Sequence, residues 1–163
     1  MGSTPSSGGL YTPEQRQRRD ASRWTLVQGI LAPLQFLVML VSAGLIFYSL
    51  RTGAAVFWAD ASVVLKTLLL LTIMVTGSLW EHDVFGKYLF AAAFFWEDVV
   101  SMGVIVLHLA YMVALVGSLG TTEQRLVLAL VAYAAYGVNA IQFVLKLRRA
   151  RLDARLETQK AAA

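Results

Sequence analysis

The chain has 163 residues, 58% of them hydrophobic and 15% charged, with a formal net charge of +4 and a mean hydropathy of +0.63. That balance is too apolar and too poor in charge for an ordinary soluble domain, and it predicts an integral membrane protein. With no cysteine, disulfides, thiolate-bound zinc and iron–sulfur clusters are excluded.

The first 23 residues are polar and lack the short apolar core of a secretion signal, so the N-terminus is expected to be retained. Residues 1–9 are small and polar and are expected to be disordered. Met1-Gly2 with Ser6 matches an N-myristoylation pattern, which is short and adds little to a chain that already spans a bilayer. Thr12-Pro13-Glu14-Gln15 carries a helix start: a Thr cap, Pro at the first helical position and Gln closing a capping box. An interfacial helix is predicted to run from there into the first span near Trp24.

Four apolar runs, at about 25–50, 60–80, 95–118 and 123–145, are long enough to cross hydrocarbon, which takes about 20 helical residues. On span one, Gln28, Gln35, Ser42 and Ser49 recur every seven residues, as a left-handed packing seam requires. Pro33 removes a backbone donor and bends that span near its cytoplasmic end. On span two, Lys66 lies about two turns from the outer end, where its stem is expected to snorkel outward. On span three, Glu97, Ser101, His108 and Tyr111 fall within about 80° of one another and form one polar stripe facing the bundle. Thr121 and Gln124 repeat the capping-box spacing before span four, and Gly117 and Gly120 mark the turn ahead of it, so spans three and four are expected to be close antiparallel neighbours. On span four, Tyr136, Asn139 and Phe143 share a face, with Asn139 about 9 Å from the cytoplasmic end.

Lipid cannot satisfy backbone amides, so the runs must be helices. The predicted fold is all-α: an integral membrane antiparallel four-helix bundle, one domain over residues 10–157, with interfacial or cytoplasmic helical extensions at both ends and a disordered tail over 158–163. Arg16, Arg18, Arg19 and Arg23 precede span one, and Lys146, Arg148, Arg149, Arg151, Arg155 and Lys160 follow span four. The positive-inside rule assigns that side, with both termini, to the cytoplasm. The basic residues then read as topology signals beside anionic lipid, and nucleic acid is not an expected partner.

The densest chemistry lies between Lys66 and Met102, where Glu81, His82, Asp83, Glu97 and Asp98 sit between two apolar runs. Ionisable groups are costly in or near hydrocarbon, which makes them candidates for a functional site. Two plainer readings stand beside this one. Glu97 and Asp98 would complement a helix dipole, and Glu81 and Asp83 would simply be interfacial. Trp58, Trp80, Tyr88 and Trp96 fall where aromatic belts fall. His82 and His108 cannot clamp one haem, because His108 lies about 20 Å inside span three from the surface where His82 sits.

The segments VQGILAPLQF (27–36), KTLLLLTIMVTGSLWEHDVFGKYLF (66–90), FFWEDVVSM (94–102) and AAYGVNAIQF (134–143) resemble the bacterial 3-vinyl bacteriochlorophyllide hydratase family, and the likeness runs from Leu10 to the basic tail. The resemblance implies addition of water to the C3-vinyl group of chlorophyllide a or a related pigment, giving a 1-hydroxyethyl group. It carries over no catalytic residues. The residues themselves allow a mechanism: a carboxylic acid protonates the vinyl group and a second carboxylate directs water to the resulting cation. Glu97 is the expected proton donor, Glu81 or Asp98 the expected base, and Asn139 and Gln35 positioning groups. Lys87 or Arg148 would meet the pigment's propionate, and His82, His108 or water its magnesium. No cofactor is expected beyond the magnesium that the substrate brings, because hydration moves no electrons. Expected partners are the pigment and the bilayer, with self-association or other enzymes of the same synthesis beyond these. The competing classes are a non-catalytic pigment-binding or assembly subunit of a photosynthetic complex, and a small transporter, for which no inverted repeat speaks.

Overall fold

The computed structural model describes residues 9–162, and the expectations placed on residues 1–8, disorder and the myristoylation pattern among them, lie outside that range. Five helices follow one another: α1 (Pro13–Ala21), α2 (Arg23–Thr52), α3 (Val56–Phe85), α4 (Phe95–Val116) and α5 (Thr122–Ala161). The last four are each long and apolar enough to span a membrane, so this is a membrane protein.

Both capping boxes form. The Thr12 hydroxyl accepts from the Gln15 amide at 3.2 Å while the Gln15 side chain accepts from Thr12, and Thr121 and Gln124 do the same ahead of α5. The predicted continuous run from α1 into span one is broken at Ser22, whose backbone is extended at φ −74° and ψ 128°. The Ser22 hydroxyl caps α2 through the Trp24 amide and donates to Asp83 at 2.6 Å, so the break ties α1 and α2 to the end of α3.

α2 and α3 form one close hairpin, and α4 and α5 form the other. Buried positions on α2 are Gln35, Met39, Ser42, Ile46 and Ser49, and on α4 they include Glu97, Ser101, Val104, His108 and Tyr111. Both series alternate steps of four and three, the 3.5-residue period of left-handed coiled packing. The main core joins Ile46, Ala59, Val63, Leu70, Val104, Tyr111, Leu126 and Ala129 in the half of the bundle away from α1. A smaller cluster of Tyr11, Val84 and Phe94, flanked by Trp80, Phe85 and Phe143, closes the end of the bundle where α1 packs. Between Leu70 and Glu81 no α3 side chain is buried, and none on α2 is buried before Gln35. Over ten residues of α3, about 15 Å of helix, the first hairpin is thus incompletely covered by the second.

Two expectations are corrected. Lys66 does not snorkel outward: it is fully enclosed, donates to Gln35 Oε1 at 2.7 Å and lies 3.5 Å from the centre of the Tyr136 ring. It continues the α3 series Ala59, Val63, Lys66, Leu70, which faces the core, and an amide and an aromatic face reach the ammonium there. The tail is also helical through Ala161, because residues 146–161 are rich in strong helix formers and contain no glycine or proline. An Arg16–Glu157 ion pair at 3.4 Å links this extension to α1.

Candidate active site

α3 ends at Gly86, whose left-handed backbone (φ +74°) returns its amide to the His82 carbonyl. Residues 86–94 then fold back under the bundle before α4 begins. Phe94 is buried and anchors this return: its ring stacks on Phe143 with centroids 5.7 Å apart and meets Trp80 edge-on at 5.6 Å. Tyr11 completes the apolar wall beside Phe85 and Phe94, and burial pushes its phenol up to about 12, against a smaller opposing effect of Arg19.

Inside this return, Glu81 at the end of α3 lies beside Asp98 in the first turn of α4, close enough for each carboxyl group to act on the other's charge. Both are nearly sealed from solvent, at 5% and 3% exposure. Each takes one backbone donor from the loop: the Phe90 amide reaches Asp98 Oδ2 at 2.7 Å, and the Ala91 amide reaches Glu81 Oε2 at 3.2 Å. To supply its amide, Phe90 adopts a left-handed backbone at φ +58°, a conformation that costs a non-glycine residue about 1–2 kcal/mol. Strain of this kind persists where surrounding structure enforces it, and it concentrates at functional sites.

Glu97 lies next to this pair but is bound differently. Its carboxylate pairs with Lys146 of α5 at 2.7 Å, and its carbonyl accepts from Ser101 at 2.8 Å. Asn139 donates to the Ser101 hydroxyl at 2.6 Å and leaves its own Oδ1 buried without a partner. The three carboxyl groups therefore combine one carboxyl pair with which no cation among the described residues forms an ion pair and one carboxylate held by an ammonium. Two open clefts flank them. One, of about 460 Å³, is lined by Glu97, Gln142, Lys146 and Arg149, and the other, of about 440 Å³, by Phe85, Lys87 and Ala91–Ala93.

Of the residues singled out from sequence, Glu81, Glu97, Asp98 and, through Ser101, Asn139 come together at this end. Lys87 lines the second cleft. His82 is exposed and stacks on Tyr88, one residue from Glu81 but outside the carboxyl cluster. Gln35 lies deeper and serves Lys66. His108 is 1% exposed, its Nδ1 bound to the Val104 carbonyl at 2.8 Å and its Nε2 without a partner. Sequence reasoning gave Lys146 only a topological role, although it stands seven residues, two helical turns, beyond Asn139 and so on the same face. The Phe90 and Ala91 amides carried no signal at all, since backbone donors are not written in side chains. Among the described residues no cluster of histidine and acidic side chains is arranged to hold a metal ion.

The sequence pattern of the 2-vinyl bacteriochlorophyllide hydratase family matches residues 11–149. A 2-vinyl bacteriochlorophyllide hydratase of Cereibacter sphaeroides is 62% identical over 144 residues, 88% of this chain and 89% of the relative. That of Rhodobacter capsulatus is 58% identical over 153 residues, 94% of this chain and 89% of the relative. No solved structure matches the chain. The matched span takes in every residue of the carboxyl cluster, its loop and all four spanning segments up to Arg149, and the chain belongs to the 2-vinyl bacteriochlorophyllide hydratase family.

Proposed function

We propose that the chain adds water to the vinyl group of a bacteriochlorophyllide at the Glu81–Asp98–Glu97 cluster beneath the inner face of the membrane. Family membership carries the hydratase activity and its place in bacteriochlorophyll synthesis. The observation that carries the site is the buried Glu81–Asp98 carboxyl pair, drawn from two different hairpins and held by two backbone amides.

Markovnikov hydration needs a proton at the terminal vinyl carbon and water at the carbon attached to the ring, with the positive charge spread over the macrocycle between those events. Two carboxyl groups in contact cannot comfortably both ionise, so the Glu81–Asp98 pair is suited to hold one proton and deliver it. Glu97, ion-paired with Lys146, offers a carboxylate to stabilise the cation and to accept a proton from the attacking water. This assignment exchanges the roles expected from sequence, where Glu97 was the donor. Its physical basis is the company each carboxyl keeps: an ammonium beside Glu97, a second carboxyl beside Glu81.

The flat pigment reaches the cluster from lipid, and its carboxylate meets Lys87 or Arg149 in the flanking clefts. The exposed Tyr88, Phe90, Phe95 and Trp96 rings around the site offer a stacking surface. The reaction draws on no redox cofactor, since no electrons move. The basic flanks support a topology with both termini on the cytoplasmic side of a bacterial inner membrane.

Incubating the purified full-length protein with the vinyl pigment in heavy-oxygen water tests this directly. The expected product is heavier by one labelled water, with the oxygen on the carbon attached to the ring. A pigment returned unchanged would make the protein a carrier and overturn the proposal.

A further inference from the structure

We infer that His82 is the axial ligand to the magnesium of the pigment substrate, with Tyr88 fixing the imidazole. The inference rests on the hydratase reading of the neighbouring carboxyl pair. Magnesium at the centre of a tetrapyrrole has open axial positions, and neutral imidazole is a good ligand for a metal in such a ring. Two imidazoles are present in the chain, and the structure distinguishes them.

His108 is unsuited. Its Nδ1 donates to the Val104 carbonyl, which leaves Nε2 as a bare acceptor, but that nitrogen is enclosed in the core at 1% residue exposure. The Tyr133 ring is centred 5.8 Å away, and Val104 and Tyr111 of the main core stand one turn to either side on α4. A macrocycle could approach it only if the two hairpins separated through their best-packed half.

His82 meets the requirements. It is exposed at the membrane surface end of α3, and its ring lies parallel to Tyr88, with centroids 4.3 Å apart and planes inclined by 16°. Such stacking orients a ligating ring as a hydrogen-bonded second partner does in other metal sites. Position completes the case. Glu81 and His82 are consecutive, so their side chains diverge by about 100° around one turn of helix. A pyrrole substituent lies one ring away from the central metal, and the Tyr88 ring stacked on His82 is two residues from Phe90, whose amide binds Asp98. A pigment with its magnesium on His82 therefore brings its edge to the Phe90–Ala91 loop that covers Glu81 and Asp98. Tyr88 and Phe90 belong to that same loop, so the ring that holds His82 and the amide that binds Asp98 are two residues apart.

The test titrates the detergent-purified full-length protein with the magnesium pigment and with its metal-free counterpart, following pigment absorbance, and records hydration by the wild type alongside. The wild type is expected to prefer the magnesium pigment by about tenfold or more. His82→Ala should abolish that preference without weakening binding of the metal-free ring, and added imidazole should restore it to His82→Gly. His108→Gln should leave the preference intact. A wild-type preference surviving in His82→Ala, or lost instead in His108→Gln, would overturn the ligand assignment while leaving an observed hydration untouched. Failure of the wild type to hydrate the pigment would overturn both.

Discussion

Lys66 shows how a single buried residue can be costly and still retained. Its ammonium has lost all contact with water and receives in return one amide oxygen and one aromatic face. Removing the amide leaves a buried charge without a hydrogen-bond acceptor, which costs about 1–3 kcal/mol or more. Gln35→Leu is therefore expected to lower thermal stability in detergent by about that amount, whereas the double change Gln35→Leu with Lys66→Met should recover most of it, because two apolar groups then face each other. Additive losses in the double variant would mean that the two side chains do not depend on each other. Part of this was readable: the seven-residue spacing that contains Gln35 marks the inner face of α2. The inward turn of Lys66 was not, since a lysine two turns from a membrane surface can equally well reach water, and the choice is made by what stands across the interface.

At the scale of elements, the loop of residues 86–94 decides whether the carboxyl groups form a site. Helix ends and caps were legible in the sequence because they depend on local residues: Thr12 with Gln15, Thr121 with Gln124, and Gly86 stopping α3. The three carboxyl groups were legible because charges stand out against apolar runs. The way the loop returns to clamp them depends on Phe90 taking a left-handed backbone, and no local sequence rule asks a phenylalanine to do so. Comparing Phe90→Gly with Phe90→Ala isolates this feature, since both remove the ring and both keep the amide that binds Asp98. The glycine variant is expected to be more stable by about 1 kcal/mol, as glycine adopts this conformation without a Cβ penalty. Equal melting temperatures for the two would show that the loop carries no such strain.

At the scale of the whole molecule, two hairpins meet along a seam in which the larger apolar core, with Lys66 and His108 enclosed in it, lies away from the chain termini, and the carboxyl cluster lies beside a smaller aromatic cluster at the end nearer them. The division places packing where it holds the bundle together and leaves the half nearer the termini incompletely covered, with two clefts beside Glu97 and Ala91 at that end. Four spans and their hairpin pairing follow from the length of the apolar runs and the glycine-marked turns. The layering within the bundle follows from which helix faces which, and periodicity along one helix says nothing about that. The cluster needs both hairpins: Glu81 comes from the first, and Asp98, Glu97 and Lys146 from the second. The account therefore stands or falls on the pair that bridges them. The most direct measurement is the rate of vinyl hydration by Glu81→Gln and Asp98→Asn, each shown by its melting curve and helical content to be folded. Loss of an acid–base group predicts a fall of about 10²–10⁴-fold in turnover for both variants with pigment binding retained. Turnover within a few-fold of the wild type in either variant would contradict the claim that this buried pair delivers the proton.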